Sequence, residues 1–271
     1  MNNTKDPHTP ILGGIKGIIF DYGGTLDTCG QHWGKKLWHA YERQHVPVTE
    51  QQFRDAYVYG ERTLGRNPII KPDYTFHRTL ATKIRLEMEH LCTHGAWDAS
   101  EEEFKQKHQA VLEDVYAEVL ATTAHSAEVL TQLSERFPMV LVSNFYGNIE
   151  CVLQEFGLRK FFPRIVESAV VGIRKPDPRI FELGVETLRS SDVEEKTQNS
   201  PLSTTLNSKL STLNSNEVLV VGDSFYKDIL PAQKAGCRTA WFKGEGWTDE
   251  TYDETVPDMV ITDLADLLVI K

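Results

Sequence analysis

The sequence predicts an α/β protein, a Rossmann-like parallel sheet core with an inserted all-helical cap domain. Three observations carry that prediction: apolar runs of strand length recur along the chain, helix-period stretches separate the later ones, and a long segment after the first run has almost no strand signal. The first run, residues 15–20, is broken only by Lys16 and Gly17 and reads as a buried strand of parallel-sheet type. Similar runs follow at 139–142, 218–221, 239–242 and 259–261. Helices are expected at 126–137, 148–157, 177–189, 226–236 and 264–269. Alternation of this kind places helices on both faces of a parallel sheet and chemistry beyond the carboxyl ends of its strands. Asp21, Ser143 and Asp223 each stand at such an end.

The helical segment interrupts the alternation after the first strand, so it is expected to lie over the active edge of the sheet as a lid. Thr49 with Gln52 and Ser100 with Glu103 are capping-box pairs that mark two of its helix starts. The expected organisation is a tail over 1–14, a core built from 15–29 and 122–271, and a cap over 30–121, with hinges at 28–30 and 121–124 where small residues permit backbone change. Residues 190–216 are rich in Ser, Thr and Asn, contain too little apolar surface to fold alone, and read as a flexible low-complexity insertion.

With 25% charged and 40% hydrophobic residues the chain has the balance of a globular protein. Its formal net charge of −10 disfavours nonspecific binding to nucleic acid or an anionic membrane, since both rest on clustered Lys and Arg. A small-molecule partner is expected. Cys29, Cys92, Cys151 and Cys237 have no paired spacing, which fits a reducing cytoplasm better than a disulfide framework or zinc cluster. The polar first ten residues lack a signal-peptide apolar stretch, and no later run reaches membrane-spanning length.

Four short motifs end successive strands: Asp21-Tyr22-Gly23-Gly24-Thr25, Ser143-Asn144, Lys175-Pro176, and Gly222-Asp223-Ser224 with Asp228. In order and spacing the chain resembles the haloacid dehalogenase superfamily over most of residues 15–271. The resemblance implies that Asp21 is a nucleophile forming an aspartyl-phosphate, which divides one hard displacement into two easier ones. It also implies Mg2+ held by Asp21, the Gly23 carbonyl and Asp223, because a carboxylate approaching a phosphate dianion needs a bridging hard cation. By the same resemblance Asp228 supports the metal or orients Lys175, and Lys175 neutralises nucleophile and phosphate charge. Ser143, Asn144 and the loop amides around Gly24 and Thr25 are then expected to bind the phosphoryl oxygens, with Thr25 also stabilising the loop. Arg174 reads as solvated.

At Gly23 the chain departs from the phosphatases of the superfamily, which usually carry there a second Asp that protonates the leaving group and activates water. General acid–base catalysis is worth about 10²–10⁴ in rate, so poor leaving groups should suffer most from its loss. Three readings stand: a phosphatase of a small phosphorylated metabolite whose acid–base group is Asp27, His32 or Tyr22; an enzyme acting on carbon–halogen or carbon–phosphorus bonds, whose relatives have Tyr or Ala at this place; and a metal- and ligand-binding sensor without turnover. Retention of Asp21, Lys175 and Asp223 argues against the last. Specificity is expected in the cap, with Trp33, Lys35, Lys36, His39 and Arg66 as candidates.

Overall fold

The computed structural model describes residues 12–190, 212–248 and 250–271. Six strands form one parallel sheet: β1 (Gly17–Phe20), β2 (Met139–Ser143), β3 (Arg164–Glu167), β4 (Val218–Gly222), β5 (Arg238–Phe242) and β6 (Met259–Ile261), in the spatial order β3-β2-β1-β4-β5-β6. β1 is central because it can be: Ile18, Ile19 and Phe20 have no exposed surface, and burying side chains of this kind contributes roughly 1.5–3 kcal/mol each. It is two residues shorter than expected, since the amides of Ile15 and Lys16 bond the carbonyls of Lys271 and Glu217 outside the ladder. β3 was not expected. It is an edge strand, paired only with β2, and its half-exposed Arg-Ile start lacks the continuous apolar run of its neighbours.

Four helices lie between β1 and β2: α1 (Trp33–Arg43), α2 (Glu50–Arg66), α3 (Phe76–Thr93) and α4 (Glu101–Ser134). Thr49 and Gln52 form the anticipated reciprocal capping box, and the Ser100 hydroxyl accepts from the Glu103 amide at 3.2 Å. At the expected first hinge, Cys29 and Gly30 both have positive φ, and a Cβ on Gly30 would stand 2.9 Å from the Phe242 carbonyl oxygen. The expected second hinge at 121–124 does not exist as a break. α4 runs through it as one 34-residue helix, because two of its four residues are Ala, the best helix former, and its Ser126 hydroxyl anchors on the Leu26 carbonyl at 2.8 Å. One hydrophobic cluster is continuous from the sheet (Phe20, Leu141, Phe242) through Leu130 into the insert (Leu37, Phe53, Ile84).

Between and after the later strands lie α5 (Ile149–Glu155), the short α6 (Ser168–Val171), α7 (Arg179–Ser190) and α8 (Leu230–Lys234), with a 3-10 segment at Leu264–Val269. The helix expected over 226–236 divides into a π-helical turn, Phe225–Ile229, and α8. Most of the 190–216 insertion, and the tail up to residue 11, lie outside the described residues. Among the described residues no helix is long and apolar enough to cross a membrane.

Glu87 on α3 is an ionisable group in the interior of the insert. It has no exposed surface, its Oε2 accepts from the Tyr41 hydroxyl at 3.4 Å, and Oε1 has no partner among the described residues. Burial pushes its carboxyl from 4.5 up to about 8, against the pull of Lys83 and with added repulsion from Glu61. Because the folded pKa exceeds the unfolded one, stability is full below pH 4.5 or so and falls as pH rises through about 8. Glu87→Gln is therefore expected to flatten that fall by a few kcal/mol between pH 5 and pH 9 on this linkage, measured by denaturant unfolding at both values. An unchanged pH dependence would contradict a buried, neutral Glu87.

Candidate active site

β1 and β4 are adjacent where the strand order reverses, and the crevice beyond their carboxyl ends gathers the predicted residues. Asp21 follows β1 directly. Its Oδ1 accepts from the Tyr22 amide at 2.7 Å and from Lys175 Nζ at 2.8 Å, while Oδ2 has no protein partner among the described residues. One oxygen is thus fixed and the other is open. The Gly23 amide and carbonyl make no hydrogen bond among the described residues, and Gly23 lines the cavity, so both are available to a ligand there.

Lys175 Nζ, almost wholly buried, bridges Asp21 and Asp228, the latter at 2.7 Å. The π-helical turn makes this geometry: it returns Asp228 towards its own start, where Oδ2 accepts from the Ser224 amide at 2.9 Å and Oδ1 meets Lys175. Burial pulls the lysine down, but Asp21 and Asp228 outweigh it and hold the pKa above its usual value. Asp223 stands beside Gly24, whose φ of 94° only glycine adopts readily and whose missing Cβ would collide with the Asp223 carboxylate.

Asp21, Asp223 and Asp228 each present a carboxylate oxygen within 4.8 Å of the others. Three carboxylates therefore share one lysine. Asp223 is raised well above the ordinary carboxylate range by burial, then by Asp228 and Asp21, and Asp228 is raised to about 6, chiefly by burial. An all-oxygen donor set with surplus negative charge fits a hard divalent cation such as Mg2+, with the free Gly23 carbonyl as a further donor.

Several expected phosphate contacts fall elsewhere. Thr25 is fully buried beneath the cavity, where its hydroxyl accepts from the Asp223 amide at 3.1 Å; it holds the two motif loops together. The Gly24 amide is taken by Asp27 Oδ1 at 2.7 Å. Asn144 spends its amide on the backbone of Lys175, donating to the carbonyl at 3.1 Å and accepting from the N–H at 3.0 Å. Ser143 alone of the four keeps an unpaired side-chain group on the cavity wall among the described residues. Of the residues expected to bind phosphate, Ser143 thus offers a free hydroxyl, and Gly23 adds a free amide beside it.

Where a second Asp would stand, the nearest group is Trp33: a Cβ on Gly23 would lie 3.6 Å from its indole nitrogen. That indole donates to Asp27 Oδ2 at 3.1 Å. Asp27 is fully buried at the cavity's edge, and burial, with Asp21 nearby, pushes its carboxyl up to about 7 against the hydrogen bonds from Gly24 and Trp33. His32 caps α1 with Nδ1 accepting from the Gly34 amide at 3.0 Å, so its proton sits on Nε2; burial, with Lys227 and Lys83, lowers it to about 4. Tyr22 is buried against Phe145, its hydroxyl unpartnered, and it does not reach the cavity.

The cavity over Asp21 has a volume of about 580 Å3 and is roofed by the insert. The sequence of residues 15–236 matches the model of a hydrolase family, the haloacid dehalogenase-like hydrolases. The chain belongs to that family. No curated protein matches it. Solved structures share the fold of this haloacid dehalogenase-like hydrolase. The putative hydrolase YfnB from Bacillus subtilis, bound to magnesium, is 19% identical, with 93% of this chain and 96% of that one covered at a TM-score of 0.53. A dehalogenase with an intermediate complex is 17% identical, with 95% and 97% covered at 0.54. The L-2-haloacid dehalogenase from Xanthobacter autotrophicus with chloropropionic acid covalently bound is 16% identical, with 94% and 97% covered at 0.50.

Of the cap residues expected to face substrate, only Trp33 lines the cavity of this hydrolase. Lys35 and Lys36 pair with Glu50 and Glu118, His39 pairs with Glu42 and Glu245, and Arg66 is exposed elsewhere. The insert instead contributes Tyr57, Glu61 and Lys83, and the core contributes Tyr146, Arg174 and Lys227. Arg174, expected to be solvated, is exposed but borders the cavity. Only helical period could have pointed to Glu61 and Lys83, and nothing in the sequence marks which face meets the sheet. Trp247, from the loop after β5, packs against Gly34 of the insert, with Arg54 donating to its carbonyl at 2.8 Å.

Proposed function

We propose that this hydrolase is a Mg2+-dependent phosphatase of a small phosphorylated metabolite, working through an aspartyl-phosphate on Asp21. The observation that carries the reading is the cluster of three carboxylates sharing Lys175. Displacement at a carbon bearing halide gives no reason to concentrate that much buried negative charge, whereas a phosphate dianion brought to a carboxylate does call for a divalent cation. Held by Asp21, Asp223, Asp228 and the Gly23 carbonyl, the ion would supply charge neutralisation between nucleophile and phosphate.

In the first step Asp21 Oδ2 attacks phosphorus and the bond to the leaving-group oxygen breaks, that oxygen taking a proton. Water then attacks the same phosphorus, releasing phosphate and restoring the carboxylate. Lys175 fixes the attacking group, and the Ser143 hydroxyl and Gly23 amide are suited to receive the charge spread over the phosphoryl oxygens. Asp27 is the best placed of the three acid–base candidates, since it borders the cavity in the nucleophile loop and retains a proton near neutrality. The four free cysteines support a reducing, cytoplasmic setting.

An activated aryl phosphate tests the reading: release of the phenol is expected with Mg2+ and not with EDTA. Ester hydrolysis that persists in EDTA would sink it. The absence of a carboxylate at Gly23 favours a haloacid dehalogenase as second reading, and chloride release without any ester hydrolysis would select that one. Asp27→Asn is expected to slow unactivated esters about 10²-fold and activated ones far less, in line with the usual worth of a general acid. Equal slowing of both would remove Asp27 from proton transfer.

A further inference from the structure

The roof of the cavity holds a carboxylate that a phosphate-binding chamber does not itself require. Glu61 on α2 lines the cavity with its side chain 38% exposed. Its Oε1 is held twice, by an ion pair with Lys83 of α3 and by the Tyr146 hydroxyl at 2.9 Å. Its Oε2 has no protein partner among the described residues. Lys83 is itself fixed, nine-tenths buried with Nζ 4.4 Å from the Tyr57 ring centre. These contacts fix Oε1 and leave Oε2 free on a residue that lines the same cavity as Asp21.

Resting on the phosphatase reading, we propose that Glu61 Oε2 accepts a hydrogen bond from a hydroxyl of the leaving group, so that the preferred substrate is a polyol or sugar phosphate. A bare carboxylate repels a second phosphate or carboxylate brought against it, which argues against an anionic group at that point. An ammonium group is disfavoured too, because Glu61 is already ion-paired with Lys83 and a second cation brought to the same carboxylate would face that charge. Lys83, the Tyr146 hydroxyl and Lys227 hold the Glu61 carboxyl below its usual range. A neutral hydroxyl donor satisfies the free oxygen at no cost in charge. A site oriented to accept from a hydroxyl favours the substrate that carries one over an analogue lacking it, because only the former makes that bond.

The test compares kcat/KM for a sugar phosphate, a polyol phosphate, an alkyl phosphate of similar size and an activated aryl phosphate, in wild-type protein and in Glu61→Gln and Tyr146→Phe. Wild type is expected to favour the hydroxylated substrates over the alkyl phosphate by tenfold or more. That ratio is expected to collapse in Glu61→Gln, through KM more than kcat, and to fall severalfold in Tyr146→Phe, which keeps Glu61 but loosens it. Wild type that cleaves the aryl phosphate without preferring hydroxylated esters would overturn the inference and leave the phosphatase reading standing. A preference that survives in both variants would also overturn it. Wild type that cleaves no ester at all would overturn the phosphatase reading beneath it. Should Glu61→Gln fail to fold, the Tyr146→Phe ratio decides alone, an unchanged ratio counting against the proposal.

Discussion

Asp21→Asn is expected to lower phosphate ester turnover by about 10⁴-fold or more, the scale seen when a covalent nucleophile is removed. The geometry makes the effect specific. Oδ1 already receives the Tyr22 amide and Lys175, so on the phosphatase reading Oδ2 is the oxygen left to attack, and the amide that replaces the acid lacks the charge that attack requires. Asn can still fill the space and accept at one position, so the thermal midpoint should move far less than the rate. Single-turnover assays with quench detection of phosphorylated protein would show the acyl phosphate in wild type and none in the variant. A variant that kept a tenth of the wild-type rate would leave Asp21 without its role.

Lys175→Met is expected to cost about 3–5 kcal/mol of stability, the usual loss when one partner of a buried ion pair is removed. The lysine is the only cation among the described residues bonded to the Asp21–Asp228 pair, and both carboxylates would be left close together with Asp223. The cost appears only where these groups must ionise. Asp228 already titrates near pH 6 in the folded state, above its unfolded value, so the loss should be larger at pH 8 than at pH 5. Mg2+ should raise the melting temperature of the variant more than that of wild type, because it would replace the missing positive charge. Equal stability at both pH values with no metal response would mean that the carboxylates do not share one charge balance.

Five of the six strands were legible because parallel strands buried on both faces leave continuous apolar runs, as Ile18-Ile19-Phe20 does. β3 was hidden by its edge position, which lets Arg164 face out. Asp21, Lys175, Asp223 and Asp228 were legible as residue types tied to strand ends, and they converge as expected. The hydrogen-bond directions were not legible. Whether the Gly24 amide points to a phosphate or to Asp27, and whether Asn144 serves a ligand or the Lys175 backbone, depends on loop dihedrals that no residue pattern fixes. The cap contacts were hidden for a further reason. Glu61 and Lys83 look like surface charges on amphipathic helices until the insert is laid over the sheet, and Trp247 reaches the site from a loop more than two hundred residues after the nucleophile.

The unbroken α4 changes what kind of lid this can be. A 34-residue helix spans about 50 Å at 1.5 Å per residue, and its final third buries Val129, Leu130 and Leu133 in the cluster that holds Phe20 and Leu141 of the sheet, while its first half packs on α1 and α3 of the insert. It behaves as a stiff post shared by both halves of the molecule. At the other crossing, around Cys29 and Gly30, the chain is pinned by the Gly30 amide on the Gly24 carbonyl at 2.7 Å. Trp33 and Glu61 are thus carried over Asp21 by helices that pack on that post and on one another, and the indole of Trp33 is bonded to the nucleophile loop itself, so insert and core wall one chamber as a single assembly.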